Sequence, residues 1–248
     1  MIVCVGLATR DTIYAVPRHP GADDRVVASE RVVAGGGPAA TAAVAIARLG
    51  VECRFVGVVD DDLPGVETLR VPGRMVESTI LVSGDSRAIV TEPAESFAVP
   101  VGALSGADWV HVDHVGYAAI GDADVRLSVD GGNPVGGLDL ARVHLYAPTE
   151  ETDDGRRARV TVVTRGPRGC VAYAAGETIE VPAHEGVDVV STLGAGDVFH
   201  GALLACLERG LELRDALAHA NACAALSCRA LDGRSAIPTW NELERELA

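Results

Sequence analysis

The sequence predicts an α/β protein built on a central, mostly parallel sheet flanked by helices. Short β-branched and apolar runs recur along the chain and end near glycine or aspartate, and Ala-rich stretches with helical apolar spacing separate or follow them. Hydrophobic residues make up 48% of the chain but aromatic residues only 4%, so Ala, Val and Gly carry the packing. Buried parallel strands read as continuous apolar runs, and alternating strand, loop and helix places ligands at the strand C-terminal ends. At 248 residues the chain can bury one substantial core.

Residues 1–7 contain IVCVG, a predicted buried strand running into a loop that carries Asp11. Residues 12–33 place β-branched residues on both sides of PRHPGADD, predicting one or two exposed strands. AGGGPAATAAVAIARLG then turns on glycine into an Ala-rich helix that stops at Gly50. Residues 53–59 predict another buried strand, closed by Asp60, Asp61 and Asp62. Residues 78–82 and 88–92, joined by SGDS, predict a β-hairpin. Residues 109–112 and 125–129 read as strands ending near Asp113 and Asp130, and 143–146 and 160–164 repeat the pattern, the last followed by RGPRG. Residues 197–209 and 213–229 have helical spacing, with Gly210 between them.

The net charge of −14 excludes nonspecific nucleic-acid binding, which needs a basic surface to displace counterions. All 21 Lys-plus-Arg positions are arginine, so a Walker-type loop with its lysine and Schiff-base lysine chemistry are both excluded. The six cysteines have no CxxC spacing and sit mostly in apolar runs, as reduced, buried small hydrophobes do. No signal-like segment and no apolar run of about 18 residues occurs. A soluble, cytoplasmic protein is expected.

STLGAGDVFHG, residues 191–201, carries the most specific chemical signal. Gly194, Ala195 and Gly196 leave backbone N–H groups unobstructed at a helix start, a place suited to an anion. Asp197 follows, where an acceptor hydroxyl would meet it as a general base. Taken alone, the string also fits an ordinary loop closed by an Asp cap.

The order of AGGGPAATAAVAIARLG, VVTRGPRG, STLGAGDVFHGALL and HANACAALSCRALDGRSAIP resembles the ribokinase or PfkB family of carbohydrate kinases over nearly the whole chain. The wording is most similar to the sulfofructose kinase type. The resemblance implies a ribokinase-like single kinase domain over residues 1–248, with a small β lid from about 12–33 and 78–92. It implies transfer of the ATP γ-phosphoryl group to a hydroxymethyl group of a small sugar or polyol, with Mg²⁺ accompanying ATP. Matched by position, Asp197 is the implied catalytic base, and Gly194, Ala195 and Gly196 form the anion hole. Asp11, Gly36, Gly37 and Thr41 line the sugar pocket. Thr164, Gly166 and Gly169 sit against the nucleotide, with Asn221 and Gly233 near its base. Each has a plainer role open to it: Asp11 capping a turn, the glycines shaping the helix entry, Thr41 bonding a backbone carbonyl, Asn221 as a satisfied buried amide. His200 and His219 read as structural, because neither has a recognisable acid partner in the sequence.

Three departures qualify the resemblance. Ser191 and Leu193 replace the acidic residue and second Thr of the glycine motif, which weakens a monovalent-cation site. TEET at 149–152 stands where relatives have NxxE, leaving Glu150 or Glu151 to reach a metal through water. The peripheral segments around 65–72, 116–124 and 151–157 are short, predicting a trimmed fold. Apolar sheet left uncovered by that trimming, together with the lid strands, predicts a homodimer. Near DHVGY, the residues His114, Val115 and Gly116 provide no arginine for an acidic acceptor. Arg10, Arg18, Arg25 and Arg87 read as solvated, so a neutral sugar or nucleoside-like polyol is expected. The rival readings are a kinase-derived sugar- or nucleotide-binding regulatory protein without turnover, and a nucleoside kinase.

Overall fold

A computed structural model describes residues 1–84 and 86–248. Among these residues the strands form two sheets. The larger is nine-stranded and contains β1 (Ile2–Val5), β4 (Cys53–Gly57), β5 (Glu67–Arg70), β8 (Trp109–Val112), β9 (Leu127–Gly131), β10 (Val143–Pro148), β11 (Val160–Thr164), β12 (Cys170–Ala174) and β13 (Glu177–Val181). Its order is β13-β12-β11-β10-β9-β8-β1-β4-β5, parallel except for β12 and β13 at one edge. Ile2 stands between Cys53 and Trp109 in register, so β1 is an interior strand of the sheet. The mostly parallel α/β architecture read from the sequence is therefore present.

The smaller, four-stranded sheet has the order β3-β2-β6-β7, formed by β2 (Thr9–Ala15), β3 (Glu30–Gly36), β6 (Val76–Ser83) and β7 (Ser86–Thr91). β6 and β7 pair antiparallel as the hairpin reading requires. Asp85, in the SGDS turn between them, lies outside the described residues. One face of this sheet contributes Ile13, Ile80 and Val82 to a cluster with Leu231, against which Leu193 packs. The residue that departs from the glycine motif thus docks the small sheet over the glycine turn.

Helices cover the two faces of the large sheet unequally. Ile2, Cys4, Phe55, Leu145 and Val162 pack against α1 (Pro38–Arg48), α3 (Ala195–Glu208) and α4 (Leu213–Ser227), with Leu243 of α5 (Trp240–Leu247). On the opposite face, Val3, Val5, Val110, Val112 and Val129 meet Tyr117 and Ile120 of the short α2 (His114–Ile120), and loop residues such as Phe97, Val99 and Leu138 complete the cover. Loop side chains take the place of helices there, which is the trimming expected from sequence. Residues 67–70 form a strand, and the β12–β13 hairpin and α5 are elements that the sequence reading did not identify. No helix among the described residues is long and apolar enough to cross a membrane.

Candidate active site

The C-terminal ends of β1, β8 and β9 and the N-terminal ends of α1, α2 and α3 meet at one polar centre. Asp113 organises it. Its carboxylate accepts the backbone N–H groups of Leu7 at 2.7 Å, Ala39 at 3.3 Å, and Val115 and Gly116 at 2.9 Å each. One buried side chain therefore fixes the loop after β1 and the starts of α1 and α2. A Cβ on Gly6 would lie 2.3 Å from its Oδ1, so the glycine makes room for this carboxylate.

The glycine turn leads into α3 with Gly194 as its N-cap in the left-handed region, φ 74°. Among the described residues, the backbone N–H groups of Gly194, Gly196 and Asp197 have no backbone acceptor, whereas Ala195 N–H donates to the Thr192 carbonyl at 3.3 Å. Three orphan donors at a helix N-terminus make an anion site. A Cβ on Gly196 would meet nothing within 4 Å, so the space before the turn is open. Such an open cradle of donors fits phosphate oxygens.

Asp197 is half-buried on the first turn of α3. Burial, then the charge of Asp130 and more weakly that of Asp113, push its pKa up to about 7, against the pull of His200 and Arg87. That places its proton exchange where a general base works at neutral pH.

The expected sugar-pocket residues converge. Asp11, buried on β2, accepts the Thr9 hydroxyl at 2.6 Å. Burial raises its pKa, and Thr9, Arg234 and Ser78 oppose the rise. A Cβ on Gly36 would fall 1.9 Å from Asp11 Oδ2, and one on Gly37 would fall 2.5 Å from the Leu7 carbonyl oxygen. Thr41 on α1 accepts from Nε of Arg234 at 3.1 Å rather than bonding a backbone carbonyl. Arg234 also donates to the Gly36 carbonyl. Burial lowers its pKa to about 10, although Asp11, Asp197 and Asp232 favour the charged form. The sequence reading missed this guanidinium. Its signal was present in LDGRSAIP, where Asp232 accepts the N–H groups of Arg234 and Ser235 at 2.8 Å and shapes the loop.

The expected nucleotide residues occupy separate places. Thr164 closes β11 and Gly166 follows with φ 55° and open space around it. Gly169 and Asn221 meet at the end of β13: a Cβ on Gly169 would lie 2.1 Å from the Val181 carbonyl oxygen, and the Asn221 amide donates to the Pro182 carbonyl at 2.8 Å. Gly233 packs instead against the glycine turn, where its Cβ would approach the Leu193 carbonyl oxygen to 3.0 Å. Ser191 Oγ accepts the Leu193 N–H at 3.2 Å. Glu150 is paired with Arg168, and Glu151 is exposed on the same turn. No group of three metal-ligating side chains occurs among the described residues. The donor set fits a divalent ion carried by phosphate oxygens and reached through water, not a cage of protein ligands.

Both histidines have acid partners, which the sequence did not reveal. His200 Nδ1 lies 3.4 Å from Asp130 Oδ2, and His219 Nε2 lies 3.0 Å from Glu244 Oε1. Each acid comes from an element remote in sequence, β9 or α5, so no local spacing revealed it.

The pfkB family carbohydrate kinase profile matches residues 1–70 and 150–240. The chain is 26% identical to ribokinase of Bacillus subtilis over an alignment spanning 100% of this chain and 99% of that one. The fold is similar to that of ribokinase from Thermotoga maritima, at a TM-score of 0.82 and 23% identity over 99% of this chain and 98% of the other. It is equally similar, with a TM-score of 0.82 and 19% identity over 98% of each chain, to Cryptococcus neoformans ribokinase solved in complex with ADP. The chain belongs to the pfkB family of carbohydrate kinases, and so is a phosphotransferase with an alcohol group as acceptor.

Proposed function

We propose that the protein transfers the γ-phosphoryl group of ATP to a hydroxymethyl group of a small neutral sugar or polyol, with Asp197 as general base. The observation that carries this reading is Asp197 beside three unsatisfied backbone donors at the start of α3. The acceptor hydroxyl gives its proton to the Asp197 carboxylate as its oxygen bonds to the γ-phosphorus. The bond to the ADP leaving oxygen breaks, and the N–H groups of Gly194, Gly196 and Asp197 take the charge on the transferring oxygens. Ala195 holds the turn closed through Thr192 and adds a weaker donor. Mg²⁺ arriving with ATP would neutralise phosphate charge, and Glu150 or Glu151 would reach it through water.

Asp11 and Thr41 bind the sugar hydroxyls, and Gly36 and Gly37 let the backbone approach them. Thr164 and Gly166 border the nucleotide, and Gly169 and Asn221 shape the wall beside its base. Gly233 supports the phosphate turn. The domain is a single unit whose small sheet acts as the lid; Arg87 of β7 donates to the Thr192 hydroxyl at 3.1 Å, joining lid to turn.

Two copies associate through the lids in the cytoplasm. In register across the outer lid face run Val33, Thr12, Thr79 and Val90, and Val33 and Val90 are 50% and 74% exposed. Such an unpaired β-branched stripe favours burial. The experiment that tests the function is an ATP-consumption screen over ketoses, aldoses, polyols, sugar acids and nucleosides. Turnover with a neutral sugar or polyol is expected. ATP binding without turnover across that panel would instead support the regulatory reading, which the Glu150–Arg168 pair favours.

A further inference from the structure

The first two turns of α3 carry a second acid–base group. His200 follows Asp197 by three positions, which places the two side chains on neighbouring parts of one helix surface. Asp130, at the end of β9, accepts the Gly132 N–H on Oδ1 at 2.7 Å and turns Oδ2 toward His200 Nδ1 at 3.4 Å. Both side chains are only 6% exposed. The contact is ionic rather than an aligned hydrogen bond, and Nδ1 has no hydrogen-bond partner among the described residues.

A carboxylate so enclosed needs a counter-charge. His111 of β8 is near, with its ring centroid 5.9 Å from that of His200, but burial and the His200 charge hold its pKa at about 3, leaving it neutral. Its Nδ1 is engaged with the Ser128 hydroxyl at 3.1 Å. The counter-charge to Asp130 therefore falls to His200. Burial opposes charge on His200, but Asp130 and then Asp197 outweigh it and raise its pKa. Burial likewise opposes charge on Asp130, yet His200 and the Gly132 N–H hold it at about 2.

We propose that His200, paired with Asp130, is a positioning residue whose positive charge keeps Asp197 able to give up its proton at neutral pH. Resting on the assignment of Asp197 as base, this adds an electrostatic partner that touches neither ATP nor acceptor. The other charged groups facing Asp197 come from separate elements: Asp113 from the N-cap of α2, Arg87 from β7 and Arg234 from the C-terminal loop. Without His200, the charge of Asp130 would act on Asp197 uncompensated, and the base would hold its proton more tightly.

The test is NMR titration of the ligand-free protein, which requires no knowledge of the sugar. Histidine ring resonances and aspartate carboxyl carbons are followed with pH in the wild type, Asp197→Asn, Asp130→Asn and His200→Asn. The expected result is a His200 midpoint above that of an ordinary histidine, lowered by about one pH unit in Asp197→Asn and further in Asp130→Asn. The Asp197 midpoint is expected to rise by at least about one pH unit in His200→Asn. A His200 midpoint unmoved by Asp197→Asn, or an Asp197 midpoint unmoved by His200→Asn, overturns the proposal. Should His200→Asn fail to fold, the ring titration in Asp197→Asn decides alone. Turnover by Asp197→Asn would refute the base assignment, whereas an inactive Asp197→Asn with uncoupled titrations refutes only the role of His200.

Discussion

Asp197 is held at a cost to folding. Its pKa in the folded chain is about 7, far above the usual carboxylate value of about 3.9. Between those values the unfolded chain has released this proton while the folded chain keeps it, so stability falls as pH rises and levels off above about 7. Asp197→Asn removes that slope. Urea unfolding at about pH 8 should show the variant more stable than wild type by roughly 1–3 kcal/mol, and at about pH 4 the difference should vanish. Asp130 behaves with the opposite sign: its lowered pKa contributes stability above the unfolded value, lost as pH falls toward about 2. Asp130→Asn leaves the buried His200 unpaired and should destabilise the fold by about 2–4 kcal/mol at neutral pH, measured in the same way. Asp197 was legible in sequence because its partners, the amides of the glycine turn, are its own neighbours. Arg234 and the Asp130–His200 pair were not, because their meaning depends on Thr41, Gly36 and β9, which only the fold brings near.

At the scale of elements, two glycines of α3 have different duties. Gly201 faces α1 so closely that a Cβ would lie 2.4 Å from the Ala42 carbonyl oxygen. Gly196 has open space around it. Gly201→Ala should force α1 and α3 apart and cost about 1–3 kcal/mol of stability by chemical unfolding. Gly196→Ala should leave stability equal or raise it by up to about 1 kcal/mol, through helix propensity. The same variant should lower turnover by placing a methyl group at the mouth of the anion site. The strands flanking Asp113 and Asp130 were legible as apolar runs because parallel strands bury both faces. β13 and β5 were not, because Thr and Glu on a half-exposed edge dilute the apolar signal.

At the scale of the molecule, the sequence and the structure agree on a parallel α/β sheet with reduced peripheral helices, because the order of strands and helices is itself a topological constraint. The way the small sheet is seated was not legible. It depends on Leu193 and Leu231 meeting Ile13 and Ile80 across long separations in the chain. Charging the outer lid face by Val90→Arg should yield a monomer while the wild type elutes as a dimer, measured by light scattering at micromolar concentration. A wild-type monomer would remove the lid-to-lid association.

The direct test of the central claim is turnover of Asp197→Asn compared with wild type, using the acceptor that gives the highest ATP consumption in the sugar screen and circular dichroism to verify the fold. With Asp197 as base, the variant folds, binds ATP and loses turnover by at least about 100-fold. A folded variant retaining near-wild-type turnover would contradict the account.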